Sequence, residues 1–426
     1  MKDFGRSDDP AVQAQLDRLA QLSLPEGRIG LETVTTLLQR LGNPHEHLPP
    51  VFHVAGTNGK GSVCAFLRSI LEADGKIVHA TTSPHLVRYN ERIRIAGKLI
   101  EDAHLAELLK EVLDAGEDLG PSFFEVTIAA SFLAFSRTPA DACVVEVGLG
   151  GRFDATNILA KPAASAITAL GIDHERFLLS PEDGVPVDPI ARIAFEKAGI
   201  LKPSVPYVTA AQPIAAGNEI EQRGAMVGAQ KSTLWSAEPT KNGFHFNSSL
   251  GSFENLPIPA LPGMHQIENA GLAIAMLQAG GCPPARQAVV DGLQNAHWPA
   301  RLQLLNDGPV TRGRTVWLDG GHNRNAGEML ARHFAGKRLH LIIGMIESKD
   351  PAALIEPLGR SIASLTAVPV TTHAHHPATA FGPQAKGANS VIEAIAALPD
   401  DGLPVLIAGT LYLAGEVLRL NDEIPD

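Results

Sequence analysis

Residues 51–75 read VFHVAGTNGKGSVCAFLRSILEADG. VFHVA is a continuous apolar run of strand length. In the stretch behind the glycines, Val63, Phe66, Leu67, Ile70 and Leu71 recur at helical spacing, and Gly75 can end the element. The reading is strand, glycine loop, helix. Such a loop presents unpaired backbone N–H groups and the positive end of a helix dipole, which together suit a phosphate. Gly56, Gly59 and Gly61 let the backbone of Gly56–Thr57–Asn58–Gly59–Lys60–Gly61–Ser62 close on an anion. Lys60 supplies charge for the β- and γ-phosphates, and Ser62 offers a hydroxyl near a metal. The common pattern G-x-x-x-x-G-K-[ST] is not met, because Val54 stands at the first glycine position and Gly61 follows Lys60.

Outward from this stretch, strand-like runs alternate with helical patterns: KIVHATT, FFEVTIAASFLAF, ACVVEVG, ASAITAL and ARIAFEKAGIL in turn. That alternation predicts an α/β protein with a largely parallel sheet. RIRIAGKLI shows period-two alternation, and SPHLVRYNE reads as irregular. Residues 203–260 read as a small β-rich subregion. A proline interrupts the pattern in NAHWPARLQ, after which RTVWLDGG, RLHLIIGM, LTAVPVTT and PVLIAGT form a fresh series of strands. The expected organisation is an N-terminal domain over 1–298, with a mostly parallel sheet of phosphate-loop type flanked by helices. A smaller, Rossmann-like α/β domain follows over 301–426.

Composition narrows the function. A chain of 426 residues suits two or three domains at about 100 to 200 residues each. The formal net charge of -11 argues against a nucleic-acid binder, which normally carries a basic stripe. The polar, acidic start lacks the basic-then-apolar order of a signal peptide, and no run is apolar enough for a membrane span. Cys64, Cys143 and Cys282 are odd in number and far apart, which predicts neither a disulfide framework nor a Cys-rich metal site. The expected setting is cytoplasmic.

Three further residues stand out chemically. Glu146 ends the apolar strand ACVVEVG, where a carboxylate is costly unless paired or metal-bound. A buried salt bridge is the plainer explanation. His174 lies beside Asp173 just past the strand ASAITAL, although a lone histidine is more often packed or exposed than a ligand. Lys197 sits in IAFEKAGI, where a lysine would ordinarily extend its amine to water.

GTNGKGS, TTSPHLVRYNERI, EVGLGGRFDATN, IAFEKAGI and LDGGHN, in that order, resemble the folylpolyglutamate synthase and dihydrofolate synthase family. This family is a branch of the Mur-ligase-like ATP-dependent amide ligases. The likeness runs from about residue 28 to the C-terminus, and a glycine after the loop lysine is what the superfamily has. The resemblance implies transfer of the ATP γ-phosphoryl group to a carboxylate, then attack of an amine on the acyl phosphate. It implies two Mg²⁺ positions, Ser83 and Glu146 helping to bind one, His174 and Lys197 serving the other. Lys197 would be carbamylated by CO₂, turning a cation into a carboxylate-like ligand. The catalytic set is thus Lys60, His174 and Lys197. Residues 178–189, LLSPEDGVPVDP, look like a short insertion relative to the family pattern.

The same resemblance assigns Gly27, Arg28, Ile29 and Gly30, then Ser122, Phe123, Phe124 and Glu125, then Gly151, Arg152, Phe153, Asp154 and Ala155 to a pterin site. Phe123 and Phe124 can stack on a flat ring and Asp154 can accept its N–H groups, with core packing the competing role for either phenylalanine. Asn269, Arg301, Asp319 and His322 carry over as nucleotide-binding positions. Arg301, at the expected hinge, suits a role in domain closure, the plainer alternative being an interdomain salt bridge. The substrates implied are ATP, L-glutamate and dihydropteroate or a folate, handled by a monomer with no nucleic-acid or membrane partner. A Mur-type peptidoglycan ligase and a non-catalytic nucleotide-binding regulator are the competing readings. SPHLVRYNERIRI and SFFE oppose the first, and the presence of Lys60, Glu146, His174 and Lys197 together opposes the second.

Overall fold

The structure is a computed structural model that describes residues 5–22, 30–232 and 234–426, the side chain of Arg176 excepted. These residues form two compact units, Met1–Ala260 with Gln266–His297, and Leu261–His265 with Trp298–Asp426. The inclusion of Leu261–His265 in the second unit has no counterpart in the sequence pattern.

The first unit is built on strands β1 (Val51–Ala55), β2 (Val78–Thr81), β3 (Ile93–Ile95), β4 (Lys98–Leu99), β5 (Ala142–Glu146), β6 (Ala164–Ile167), β7 (Pro206–Thr209) and β8 (Gln230–Lys231). They lie in the order β4-β3-β2-β5-β1-β6-β7-β8. All neighbouring pairs are parallel except β2–β3 and β3–β4. Its helices are α1 (Pro10–Gln21), α2 (Glu32–Arg40), α3 (Lys60–Ala73), α4 (Asp102–Gly116), α5 (Phe123–Arg137), α6 (Glu175–Leu178), α7 (Pro189–Lys197), α8 (Ile214–Val227), α9 (His265–Ala279, whose first residue belongs to the second unit) and α10 (Arg286–Asn295). Every residue of β1 and β5 is buried, as expected for central parallel strands covered on both faces. One core joins Leu37, Leu109, Val126, Phe132 and Val145. Another joins Ala55, Ile167, Ala194, Ile200, Tyr207 and Ile220.

The strand order fixes where a ligand can enter. From β1 the chain turns to β2 on one side of the sheet; from the adjacent β6 it turns to β7 on the other. Connections that diverge from neighbouring parallel strands leave a crevice at their carboxyl ends. The glycine loop leaves β1 at that crevice, and the segment 168–174 leaves β6 there.

Two stretches differ from the sequence pattern. RIRIAGKLI is a tight hairpin turning at Ala96 and Gly97, both with positive φ, not one strand. Residues 203–260 are mixed: β7 and β8 extend the large sheet, and α8 lies between them. Only β9 (Trp235–Pro239), β10 (Gly243–Ser248) and β11 (Phe253–Pro257) form a separate antiparallel sheet. α8 escapes a periodicity test because its buried face is Ala216, Ile220 and Gly224, of which only isoleucine is strongly apolar.

The second unit carries β12 (Gln303–Leu304), β13 (Val316–Leu318), β14 (Leu339–Ile343), β15 (Ile362–Ala367), β16 (Lys386–Gly387) and β17 (Val405–Ala408), ordered β12-β13-β17-β14-β15-β16. Helices α11 (Arg324–His333), α12 (Ala352–Leu358), α13 (Val391–Ala396) and α14 (Leu411–Leu420) accompany them. Leu330, Leu341, Ile343, Leu354 and Leu406 centre its core.

Candidate active site

The loop predicted from the sequence lies between β1 and α3. Gly59 is the N-cap of α3 with φ 89°, a left-handed conformation that favours glycine, and no side chain caps the helix. A Cβ there would approach the Asn269 Oδ1 on α9 to 2.6 Å. The helical bonding begins with Val63 N donating to Gly59 O, so the amides of Lys60, Gly61 and Ser62 head the helix. The other half of the loop is already committed. Thr57 N and Asn58 N both donate to Ala169 O, and Thr57 Oγ1 donates to Gly171 O. These bonds lash the loop to the segment behind β6, a partner the sequence did not advertise. Gln266 Nε2 reaches Ser62 Oγ at 3.3 Å, and Asn269 Nδ2 donates to Gln266 Oε1. Asn269 is thereby brought to the loop from more than two hundred residues away.

Two lysines converge on one carbonyl. Lys60 Nζ donates to Gly56 O at 3.2 Å, and Lys197 Nζ donates to the same oxygen at 2.8 Å. Lys197 is 4% exposed, and burial followed by repulsion from Lys60 pulls its amine down to about 7. Asp173, Asp154 and Glu196 oppose that shift. The position of Lys197 depends on a close backbone approach. At Gly151 a Cβ would stand 2.8 Å from both Glu196 O and Lys197 O, and Arg152 N donates to Glu196 O at 2.7 Å. The loop GLGGR thus seats the end of α7.

Glu146 ends β5 as expected and is 4% exposed. Its Oε2 accepts from Ser83 N at 3.0 Å, which joins the two residues assigned to one metal position. His174 has φ 53° and leads into α6; its N donates to Asp173 Oδ1, and its ring nitrogen lies 4.0 Å from Asp173 Oδ2. Among the described residues no three His, Cys, Asp or Glu side chains gather as a metal cluster. The groups assigned to metals are thus the Glu146 carboxylate beside Ser83, His174 beside Asp173, and Lys197.

The residues assigned to the substrate are less uniform. Gly27, Arg28 and Ile29 lie outside the described residues, and Gly30 is half-buried. Ser122 and Glu125 form the capping box of α5: Glu125 N donates to Ser122 Oγ, and Ser122 N donates to Glu125 Oε2. Phe123 sits edge-on to Tyr89 with Arg92 over its ring, so packing claims it. Phe124 is half-buried, and its ring covers Gly148, 2.5 Å from where a Cβ would stand. Asp154 is bonded within its own loop. Its Oδ1 accepts from Thr156 N and Thr156 Oγ1, and its Oδ2 accepts from Leu149 N. Both oxygens therefore serve their own loop, and burial raises the carboxyl above the usual range against those bonds. His53 on β1 continues the chain through Thr156 Oγ1; burial and then Lys202 push it down to about 3, so it is neutral. Arg152 is likewise engaged, stacked on Phe153 and Phe195 and paired with Glu182 and Glu196. Ala155 is buried.

In the second unit Arg301, Asp319 and His322 gather at the end of β13. Arg301 lies between Ala300 and Leu302, both with positive φ, and its Nη1 donates to Ala300 O. Asp319 is 2% exposed and accepts from Leu302 N and Gly321 N; burial raises its carboxyl, against the pull of Arg301 and those bonds. His322 Nδ1 lies 3.3 Å from Gly320 O.

A glycine loop at a topological switch point, a buried strand-end carboxylate and a buried amine beside the loop suit an ATP-dependent ligase, the class to which the relatives below belong. No family model matches the chain. The dihydrofolate synthase/folylpolyglutamate synthase of Bacillus subtilis (strain 168) is 32% identical to it over 431 residues, covering 92% of this chain and 94% of that one. E. coli FolC in complex with DHPP and ADP matches the fold with a TM-score of 0.84 at 30% identity, covering 97% of this chain and 98% of that one. A bifunctional folylpolyglutamate synthase/dihydrofolate synthase with Mn, AMPPNP and L-glutamate bound matches with a TM-score of 0.83 at 28% identity, covering 98% and 99%. The chain belongs to the dihydrofolate synthase and folylpolyglutamate synthase family.

Proposed function

We propose that this protein uses ATP to join L-glutamate to dihydropteroate, to glutamate-bearing tetrahydrofolates, or to both. The observation that carries this reading is the convergence of Lys60 and Lys197 on the Gly56 carbonyl at the head of α3. Lys60 and the amides of residues 60–62 suit the γ-phosphate. A carboxylate oxygen of the acceptor attacks the γ-phosphorus and ADP leaves; the glutamate amine then attacks the acyl carbon, loses a proton and displaces phosphate. Asn269, Arg301, Asp319 and His322 are assigned to the nucleotide. Phe124, over Gly148, is the better placed of the two phenylalanines to reach a pterin ring. Asp154 acts by shaping the loop that carries Gly151 to Asp154.

The buried Glu146 carboxylate beside Ser83, with His174, fits Mg²⁺ that keeps water and phosphate oxygens among its ligands. When bound, the metal neutralises phosphate charge and polarises the transferred group. Lys197, buried and with its amine near 7, is set to exist in part as the neutral base that reacts with CO₂. The nitrogen lone pair forms the N–C bond, one proton leaves, and a carbamate with two hard oxygens results, able to serve a second metal position. We assign the enzyme to the cytoplasm as a monomer, a setting that suits its three free cysteines. No described helix is long and apolar enough to cross a membrane. The test is ADP release with product mass spectrometry. Release should require both glutamate and a pteroate or folate, each product gaining one glutamyl residue; release with neither acceptor would overturn the reading. Whether dihydropteroate, tetrahydrofolate or both are extended separates the two activities.

A further inference from the structure

Glu182 has no role in the chemistry above, yet two arginines hold it. Arg152 meets it with both terminal nitrogens, Nη1 to Oε1 at 3.1 Å and Nη2 to Oε2 at 2.6 Å. Arg192 Nη2 donates to Glu182 Oε2 at 3.0 Å. Glu196 closes the ring: its Oε1 lies 2.8 Å from Arg152 Nη2 and 3.0 Å from Arg192 Nη2. Two guanidiniums thus alternate with two carboxylates, and a third, that of Arg223, lies over the neighbouring Phe195 ring. Arg192 and Glu196 are 6% and 7% exposed, and both guanidiniums lean on the Phe195 ring.

Three working parts of the molecule meet at this ring. Arg152 belongs to the loop GLGGR, whose backbone seats the end of α7. Arg192 and Glu196 are on α7, and Lys197 follows Glu196 directly. Arg192 Nε also donates to Leu178 O, and Leu178 N donates to His174 O, which ties the His174 turn to the same helix. Glu182 comes from the segment 178–189, most of which is exposed or half-buried.

We infer that Glu182 is a positioning residue: its clasp on Arg152 and Arg192 locks the substrate loop and the His174 turn onto α7, which holds Lys197 against the Gly56 carbonyl. The inference rests on the reading of Lys197 as a working group. Without the Glu182 charge, Arg152 and Arg192 share the one carboxylate of Glu196 beside a third guanidinium, Arg223, and Arg192 is nearly buried. A buried charge left uncompensated is relieved by movement. Arg152, at 18% exposed, is the one able to swing out, and the loop it carries goes with it.

The experiment compares Glu182→Gln, Glu182→Asp and the control Glu221→Gln, a surface carboxylate paired with Lys231. Each purified protein is assayed for ligation with and without added bicarbonate, for melting temperature, and for a ¹³C carbamate signal after exposure to ¹³CO₂. Glu182→Gln should lose kcat by roughly 10- to 100-fold, the range for residues that orient a ligating group, with KM for ATP little changed. It should show a weaker carbamate signal and recover part of its rate with bicarbonate. Glu182→Asp should retain most of the rate, and Glu221→Gln all of it. A labelled wild type together with an unchanged Glu182→Gln rate overturns the clasp and leaves the lysine reading standing. So does a Glu182→Gln loss explained by its melting temperature, with signal and bicarbonate response unchanged. A wild type that never takes up label overturns the lysine reading itself, and the clasp with it.

Discussion

The two strand-end turns that the sequence marks with glycines, 56–62 after β1 and 319–323 after β13, enter their helices differently. α3 begins at Gly59 with no side-chain cap, and Lys60 and Lys197 both donate to a carbonyl of that turn. α11 begins at Asn323, whose side chain accepts from Ala326 N, while Asp319 accepts from Leu302 N and Gly321 N. The first turn leaves its leading amides without a side-chain acceptor, and its two amines meet at the Gly56 carbonyl. The second satisfies its own amides with carboxylate and amide oxygens. Glycine content is shared by both turns; what separates them is where the side-chain oxygens point. An anion site is a place where the protein withholds its own acceptors.

The comparison can be broken most forcefully at Lys60. Lys60→Ala should lower turnover by on the order of 1000-fold, as for removal of a group that stabilises charge in the transition state, with the melting temperature nearly unchanged. Steady-state ADP release checks this, and a loss under tenfold would mean that the backbone amides alone hold the phosphates. A smaller effect belongs to Lys197. Lys197→Ala should lose most of the activity with the fold intact, and near-normal turnover would sink its role.

In the unaltered protein the pH dependence has a definite sign. An amine near 7 is largely protonated at pH 6 and largely neutral at pH 8, so ¹³C carbamate at fixed dissolved CO₂ should rise across that interval. Because the folded amine titrates below the unfolded value of 10.5, the unfolded chain binds more protons between about 7 and 10.5. Stability from this group therefore rises with pH over that window. The smallest effect is at the second turn. Asn323→Ala removes a helix cap and should cost about 1 kcal/mol of stability by chemical denaturation, with turnover changed less than by either lysine substitution.

Much of the catalytic unit was legible because its signals are local. VFHVA and ACVVEVG are apolar runs of strand length, and the glycines behind VFHVA mark a turn that a helix follows at once. Glu146 could be suspected from one fact, a carboxylate at the end of an apolar strand. α8 was not legible, because a face of alanine, isoleucine and glycine carries too little hydrophobic contrast to set a period. Asp154 shows another limit: a carboxylate's chemistry is visible in sequence, but its hydrogen-bond partners are not. Thr156 and Leu149 had already claimed it. Arg152 was similar, its partner Glu182 lying thirty residues on in a stretch without regular pattern.

By itself the sequence determined the α/β class, the glycine turn between strand and helix, and the family, since each depends on neighbours within a few positions of the chain. Only the tertiary structure decided which of those residues are available for chemistry. It brought Lys197 to Gly56 across 141 positions, lashed the loop to Ala169, bonded Asp154 to Thr156 and paired Arg152 with Glu182. The physical reason is that burial and hydrogen-bond satisfaction belong to whatever the fold places within about 3 Å, and distance along the chain says nothing of that.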